Sequence, residues 1–497
     1  MVRNPVADRR RHVDISSSSR RPSIARRAFA VLGLSIALPA GIVLALGADV
    51  EPETLVLRLL VLLYTGVRLS SFIGASAYVP SGAVFWMFSY ITLGIVPLVQ
   101  ELTGVRQYYA FGTDPTMAAL IVLAGLLAFD AAYVAAQRWT RSPIASERQG
   151  SRQLARDDLV GVNSNLLVAA AMLSILAAGY YVLSAGGVPV FFSSRQDLGV
   201  ATASALTDAD SGESVRATVG ALGTVFPLIM MLVMIALLQL GHVRYTATNV
   251  ALLAVLIAVN IVVNNPISNP RYWVLAVALG VFFTMFRAKR VHDLGVLGGV
   301  FLALVVFPIS DVTRYASGAS ASPSADFWST IATKDFDQFV MISNILDYTR
   351  DEGFAHGSQI LGVLFFWVPR SIWNTKPVDT GVMVGEWMGM RNTNLSSPLW
   401  AEGWVDFGFI GTAVLLATLG VVCAAVDRAY DRARAQGGVS GAVTVVGAAV
   451  FSGYLFIILR GPLLQASARL FVIVAVCCIL AQLLPRRRQS RRAHTRS

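Results

Sequence analysis

Cysteine and histidine are both scarce, with 3 Cys and 5 His among 497 residues. Cys423, Cys477 and Cys478 all fall inside long apolar stretches, so the chain has no disulfide framework. It also lacks the Cys/His spacing of a structural metal site and any Asp-X-Asp at the outer ends of its first apolar runs. The Glu51-Pro-Glu53 pair reads as a solvated loop, so neither a metal nor a cofactor is expected. Charge is thin as well: only 14% of residues are charged while 55% are hydrophobic. That balance excludes a soluble protein of this length, which could not keep so much apolar surface from water. No internal repeat stands out, so inverted-repeat transporter symmetry has no support. The net charge of +11 is not a nucleic-acid signal, because no aromatic base-stacking platform accompanies it.

What the chain has is long hydrophobic runs. We place spans at 28–47, 54–72, 83–99, 115–136, 163–184, 217–240, 248–264, 273–287, 293–309, 407–425, 440–459 and 466–484. Each is about long enough to cross the roughly 30 Å hydrocarbon core. Arg58 and Arg68 make the second run the weakest. The expected architecture is an all-α polytopic membrane protein of about twelve helices, and the first run is read as a span rather than a cleaved signal.

Charge then orients the spans. The tail 1–27 is rich in arginine, and an inside tail places the basic stretches 138–156, 242–244, 287–290, 428–434 and 485–497 inside too. This is the positive-inside pattern, so both termini are expected in the cytoplasm of a plasma-membrane protein. Two long loops, 185–216 and 310–406, then face outward. Within the second, Asp335 to Asp351 has amphipathic helical spacing, and the apolar run Ile360 to Val368, closed by Pro369, reads as an interfacial or re-entrant helix.

The cations that break the rule are the informative ones. Arg195, Arg271, Arg314, Arg370, Lys376 and Arg460, with Arg216, Lys334, Arg350, Arg391 and Arg469, fall on the outer side. Arginine near outer span ends needs a reason. A planar guanidinium fork suits phosphate, and several together suit a diphosphate leaving group. Taken singly, each also has the ordinary explanation of a nearby acid or of snorkelling to lipid phosphate. Trp373 and Trp404 suit a sugar platform or the interfacial aromatic belt. Glu402 precedes an apolar span and is either a general base with a raised pKa, a helix cap or a partner for Arg370. His356 is a base, a phosphate donor or a helix-initiating surface residue. Asp335 and Asp337 sit in Lys-Asp-Phe-Asp-Gln-Phe, either as acids in a first helical turn or as sugar ligands.

In order, Gly-Gly-Val-Pro-Val-Phe-Phe-Ser-Ser-Arg (186–195), Asp-Phe-Asp-Gln-Phe (335–339), Gly-Ser-Gln (357–359), Val-Pro-Arg-Ser-Ile-Trp-Asn-Thr-Lys-Pro (368–377), Ser-Ser-Pro (396–398) and Ala-Glu-Gly-Trp-Val-Asp-Phe-Gly-Phe-Ile-Gly (401–411) resemble the oligosaccharide repeat-unit polymerases, the O-antigen polymerases of the Wzy type. The likeness is confined to these motifs and to the topology. It implies a GT-C-like helical glycosyltransferase that needs no metal. Its substrates would be polyprenyl-diphosphate-linked oligosaccharides, with the growing glycan moving to a second repeat unit and polyprenyl diphosphate leaving. Arg195, Arg271, Arg314, Arg370, Lys376 and Arg460 would hold the diphosphate; Glu402, His356 and Asp337 would be the catalytic candidates; and Trp373, Trp404 and Asp335 would contact sugar. Membrane lipid and a chain-length regulator are the further partners implied. A lipid-linked glycan ligase and, from another class, a flippase or transporter are the competing readings; Asp130 is the main charged residue inside a span that the latter would use.

Overall fold

The computed structural model describes residues 24–47, 52–139, 159–193, 195–205, 212–306, 327–333 and 336–487. The chain is an all-α polytopic membrane protein, as its hydropathy requires. Lipid offers no partner for backbone N–H and C=O groups, so spanning segments must satisfy them internally as helices.

Each expected span overlaps a helix. Among the described residues, nine helices are long and apolar enough to cross a membrane. They are α1 (Ile24–Leu46), α2 (Pro52–Phe72), α3 (Pro80–Thr103), α4 (Pro115–Trp139), α5 (Ser164–Ser184), α6 (Val215–Gln239), α13 (Leu399–Gln436), α14 (Val439–Arg460) and α15 (Leu463–Leu483). Three shorter helices fill the remaining places: α7 (Ala247–Val263), α8 (Arg271–Met285) and α9 (Lys289–Phe301), the last running on into a π-helical turn, Leu302–Val306. Proline opens α2, α3 and α4, where a missing N–H costs nothing. The Asn163 and Thr246 side chains cap α5 and α7 by accepting from Leu166 N and Asn249 N, each at 3.3 Å. Between α9 and α13 lie α10 (Gln338–Asp351), α11 (Ser358–Leu364) and α12 (Thr380–Trp387). A two-stranded antiparallel ladder joins β1 (Leu159–Val162) to β2 (Pro485–Arg487).

Neither arginine of α2 is left facing lipid: Arg58 is buried and Arg68 half-buried. Arg58 lies 3.6 Å from Glu101 and stacks 3.7 Å over the Phe339 ring. Arg68 pairs with Asp130, which also accepts from Tyr64 Oη at 2.9 Å. Asp130 is therefore half of a structural ion pair. Two π-helical stretches, Leu32–Ala37 and Tyr90–Ile95, both pack on α2, and Tyr90 Oη links them by donating to Leu34 O at 2.6 Å.

Three elements differ from expectation. α10 is not amphipathic: Gln338 through Leu346 are all buried, because the helix is wedged among α3, α4, α12 and α13. Neighbours satisfy its central amide: Asn344 Oδ1 accepts from Phe111 N (3.1 Å) and Gly112 N (2.9 Å). The interfacial helix stops at Leu364 rather than running to Pro369. α13 begins at Leu399, well before the expected span, breaks at Phe407 and Gly408, and continues to Gln436 through the basic stretch 428–434.

Long helices approach this closely only where side chains vanish. A Cβ at Gly420 would stand 2.5 Å from Phe129 O, and one at Gly453 would stand 2.2 Å from Ala276 O. These positions seat α13 on α4 and α14 on α8. Gly420→Val and Gly453→Val are each expected to abolish accumulation of monodisperse protein, read by size-exclusion chromatography in detergent. A normal elution profile would show that the backbones separate without cost.

The bundle has two distinct ends. At the basic end, Tyr78 joins the turn between α8 and α9 to the end of α13, through Tyr78 Oη to Arg287 O (2.5 Å) and Tyr78 N to Asp431 Oδ1 (3.0 Å). Arg26 reaches Asp293 there at 2.5 Å. The far end gathers the loop 104–114, the turn 264–270, the segment 336–398 and the turn 461–462.

Candidate functional site

The far end holds a buried polar network assembled from five separate stretches of chain. Gln100, in the last turns of α3, donates to Ala332 O (2.8 Å) and Phe336 O (3.1 Å), and Gln107 donates to the same Phe336 O (3.0 Å). These bonds fix the backbone just ahead of Asp337. The Asp337 carboxylate is buried, accepts from Tyr109 Oη (2.9 Å) and Gln338 Nε2 (3.1 Å), and faces Arg460 Nη2 at 3.9 Å. Ser396 lies beside it.

Arg460 ends α14 and stacks over the Tyr272 ring with its guanidinium carbon 4.4 Å from the centroid. Arg469, on α15, stacks over the next ring, Trp273, at 4.8 Å. Two guanidiniums thus lie on consecutive aromatic residues of α8. An aromatic ring beneath a guanidinium meets its face and does not consume its in-plane N–H donors, the groups through which arginine engages an oxyanion. Arg469 forms no ion pair with any carboxylate among the described residues. The rings are held in turn: Trp273 Nε1 donates to Asn264 Oδ1 (2.8 Å), and Asn265 Nδ2 donates to Phe191 O (2.9 Å). That last bond ties the 186–195 motif to the turn leading into α8. Arg271, directly ahead of Tyr272, is half-buried at the start of the helix.

Glu402 sits in an adjoining seam. It is buried, its Oε2 accepts from Thr380 Oγ1 (3.1 Å), and its Oε1 accepts from Leu463 N (3.4 Å), three residues past Arg460. The acid and the cations therefore belong to one corner of the bundle, where α12, α13, α14 and α15 meet.

The Pro-Arg…Lys-Pro element is a loop clamp. Arg370 donates to Lys376 O (2.5 Å) and Pro377 O (3.2 Å), while the buried Lys376 Nζ donates to Phe366 O (2.6 Å) and Val368 O (3.0 Å). This loop packs on α15 through Phe366 and Phe471, whose rings are 5.9 Å apart. Trp373 is half-buried and donates to Thr375 Oγ1 (3.1 Å). Trp404 is core: its Nε1 donates to Thr349 Oγ1 (2.9 Å) and its ring packs edge-on to Phe354 and Phe409. His356 is exposed with a left-handed backbone, φ 50°, just ahead of α11. Arg314 and Asp335 lie outside the described residues, as does the side chain of Arg195, whose backbone opens the helix Arg195–Ala205.

Two residues carry more than the sequence reading gave them. Arg469 appears there only as one outer cation among many; its placement over Trp273 is tertiary and has no signal in the sequence. Asp406 was not singled out. Its buried carboxylate accepts from Gly357 N (2.9 Å), Gln359 N (3.2 Å) and Ile360 N (3.0 Å), so it caps α11 from across the chain.

Burial raises the Asp337 carboxyl above its ordinary value of 3.8, with the Arg460 guanidinium opposing the rise. A raised carboxyl binds its proton more tightly folded than unfolded. Its contribution to stability is therefore fully present below the unfolded value and is lost as pH climbs through the folded one. Asp337→Asn cannot ionise and is expected to melt progressively higher relative to the wild type as pH rises from about 4 to about 8. Parallel melting profiles across that range would contradict it.

Among the described residues, no group of three or more His, Cys, Asp or Glu side chains lies close enough to hold a metal ion. Fold and site together define a polytopic helical membrane protein with a cation–aromatic cluster beside buried acids at one end of its bundle. No protein-family model, curated protein or solved structure matches this chain.

Proposed function

We propose that the protein is an oligosaccharide repeat-unit polymerase of the cytoplasmic membrane, acting on the extracytoplasmic face. The supporting observation is the pair Arg460 and Arg469, stacked on Tyr272 and Trp273 next to Asp337. The positive-inside rule turns this end outward, since the arginine-rich loops lie at the other.

In this reading the two guanidiniums hold the diphosphate of the donor lipid. They neutralise the charge that grows as the bond between the sugar anomeric carbon and the phosphate oxygen breaks. A hydroxyl of the acceptor repeat unit forms the new glycosidic bond at that carbon, and its proton passes to Glu402, the acid of the Arg460–Leu463 corner. Polyprenyl diphosphate leaves with the bonding pair. Asp337 holds Arg460 in place, Arg271 adds positive charge at the start of α8, and Trp373 offers an aromatic face to sugar. A chain-length regulator would act on the extent of this reaction and not on its chemistry.

Purified protein in lipid nanodiscs, given a polyprenyl-diphosphate-linked repeat unit, is expected to yield a ladder of multiples with one polyprenyl diphosphate released per linkage. Transfer only to an acceptor lacking polyprenyl diphosphate would assign a ligase. Movement of intact substrate across a bilayer without any new linkage would assign a flippase. Either outcome overturns the polymerase reading.

A further inference from the structure

The basic end contains a cavity of about 440 Å³, within the roughly 300–1,000 Å³ span of small-molecule sites. It is lined by the ends of helices that converge there, and its polar lining includes Arg287, Arg434, Asp431, Tyr78, Gln239 and Thr284. We propose that this cavity is a binding site for a phosphate-bearing anion, separate from the far-end cluster.

The positive-inside rule accounts for arginines in solvated loops at this end, but not for the placement of Arg434. Its guanidinium carbon lies 4.9 Å from the Tyr430 ring centroid and 5.4 Å from that of Tyr78, and Nη2 is anchored on Phe283 O. This cation is fixed in the cavity wall rather than extended to lipid. Such prior fixing removes the ordering cost of gripping an anion. Arg287 is exposed, also lines the cavity, and forms no ion pair among the described residues; neither does Arg434. The one lining carboxylate, Asp431, accepts the Tyr78 backbone N–H at 3.0 Å, which offsets part of its charge. Two guanidiniums against one engaged carboxylate favour an anion: the exposed Arg287 offers a planar fork that matches phosphate oxygens in pairs, and Arg434, with Nη2 on Phe283 O, adds a fixed positive charge. A phospholipid headgroup of the adjacent leaflet and a soluble phosphate compound present the same chemistry.

The full chain, as wild type, Arg287→Glu and Arg434→Lys, is placed in nanodiscs of phosphatidylcholine. In one arm phosphatidylglycerol is added and its retention is read by native mass spectrometry. In the other, pyrophosphate is titrated by calorimetry. The far-end arginines are intact in all three proteins, so the difference between wild type and variant isolates the basic-end cavity. We expect affinity at least tenfold weaker in Arg287→Glu in one arm, and the arm that responds identifies the source of the phosphate. Equal affinity of Arg287→Glu and wild type in both arms, or no binding by wild type in either, overturns the proposal. Arg434→Lys is read alongside where its melting temperature matches wild type; Arg287 is exposed, so its variant decides the matter alone. Failure here leaves the polymerase reading untouched, because that reading rests on the opposite end of the bundle.

Discussion

Arg460→Ala and Arg469→Ala, made singly, are each expected to lower polymer formation by roughly a hundredfold, the scale of removing one charge-stabilising donor from a preorganised site. Single repeat units should accumulate on their lipid carrier while the protein still reaches the membrane. The argument is geometric. Each guanidinium lies over a ring of α8, Arg460 on Tyr272 and Arg469 on Trp273, so that helix sets the position of both. Lysine keeps the charge but loses the stacked plane and the donor fork, so Arg→Lys at either position should recover only part of the activity. Arg460→Ala has a second consequence, since Asp337 loses the cation that opposes its protonation. Arg391 is exposed, and Arg391→Ala is expected to leave chain length unchanged. The measurement is the length distribution of the glycan on a gel, beside the amount of membrane protein. Full-length polymer from Arg469→Ala would remove Arg469 from the site.

Asp406→Ala is expected to have the largest structural effect of any single carboxylate on the far-end loop. Three backbone N–H groups, those of Gly357, Gln359 and Ile360, lose their acceptor at once. A hydrogen bond to a charged group contributes about 1.5–3 kcal/mol, and buried donors left unsatisfied add their desolvation cost. A net loss of about 3 kcal/mol allows for partial rescue by water at the exposed edge near His356. Asp406→Asn keeps an acceptor oxygen and should lose roughly half as much. Thermal melting gives the global effect. Amide exchange at 357–360 gives the local one, and it should accelerate well before the spanning helices respond. Unchanged exchange at those amides would show that α11 holds its first turn without the cap.

Much of the fold was legible because hydropathy is a property of consecutive residues. Every expected span overlaps a helix, and even α2, doubtful for its arginines, forms in full. Its arginines are tolerated because Glu101, Asp130 and Phe339 meet them, and all three lie far away along the chain. Fewer of the site residues could be read. Arg370 and Lys376 look like phosphate donors in sequence, but the structure turns both onto backbone carbonyls of their own loop. Trp404 looks like a sugar platform and is packed into the core. In sequence Asp337 reads as a first-turn acid or a sugar ligand and Glu402 as a base, a cap or a partner for Arg370, and neither reading contains the groups that the structure sets against them. Tyr109, Thr380 and the Leu463 amide come from other segments.

The sequence by itself determined that this is a helical membrane protein, where its helices fall, and that its inter-helix arginines concentrate at one end. Those follow from the cost of placing backbone and charge in hydrocarbon, which is settled residue by residue along the chain. Only the tertiary structure decided that, of the many cations assigned to the outer side, Arg460 and Arg469 each meet an aromatic of α8, with Asp337 facing Arg460 and Glu402 held by Thr380 and the Leu463 amide. It also decided that Arg434 stands in the wall of a cavity rather than in solvent. Such pairings depend on which helices pack together and in what rotation. That is fixed by contacts such as Gly453 on Ala276, between residues far apart in the chain.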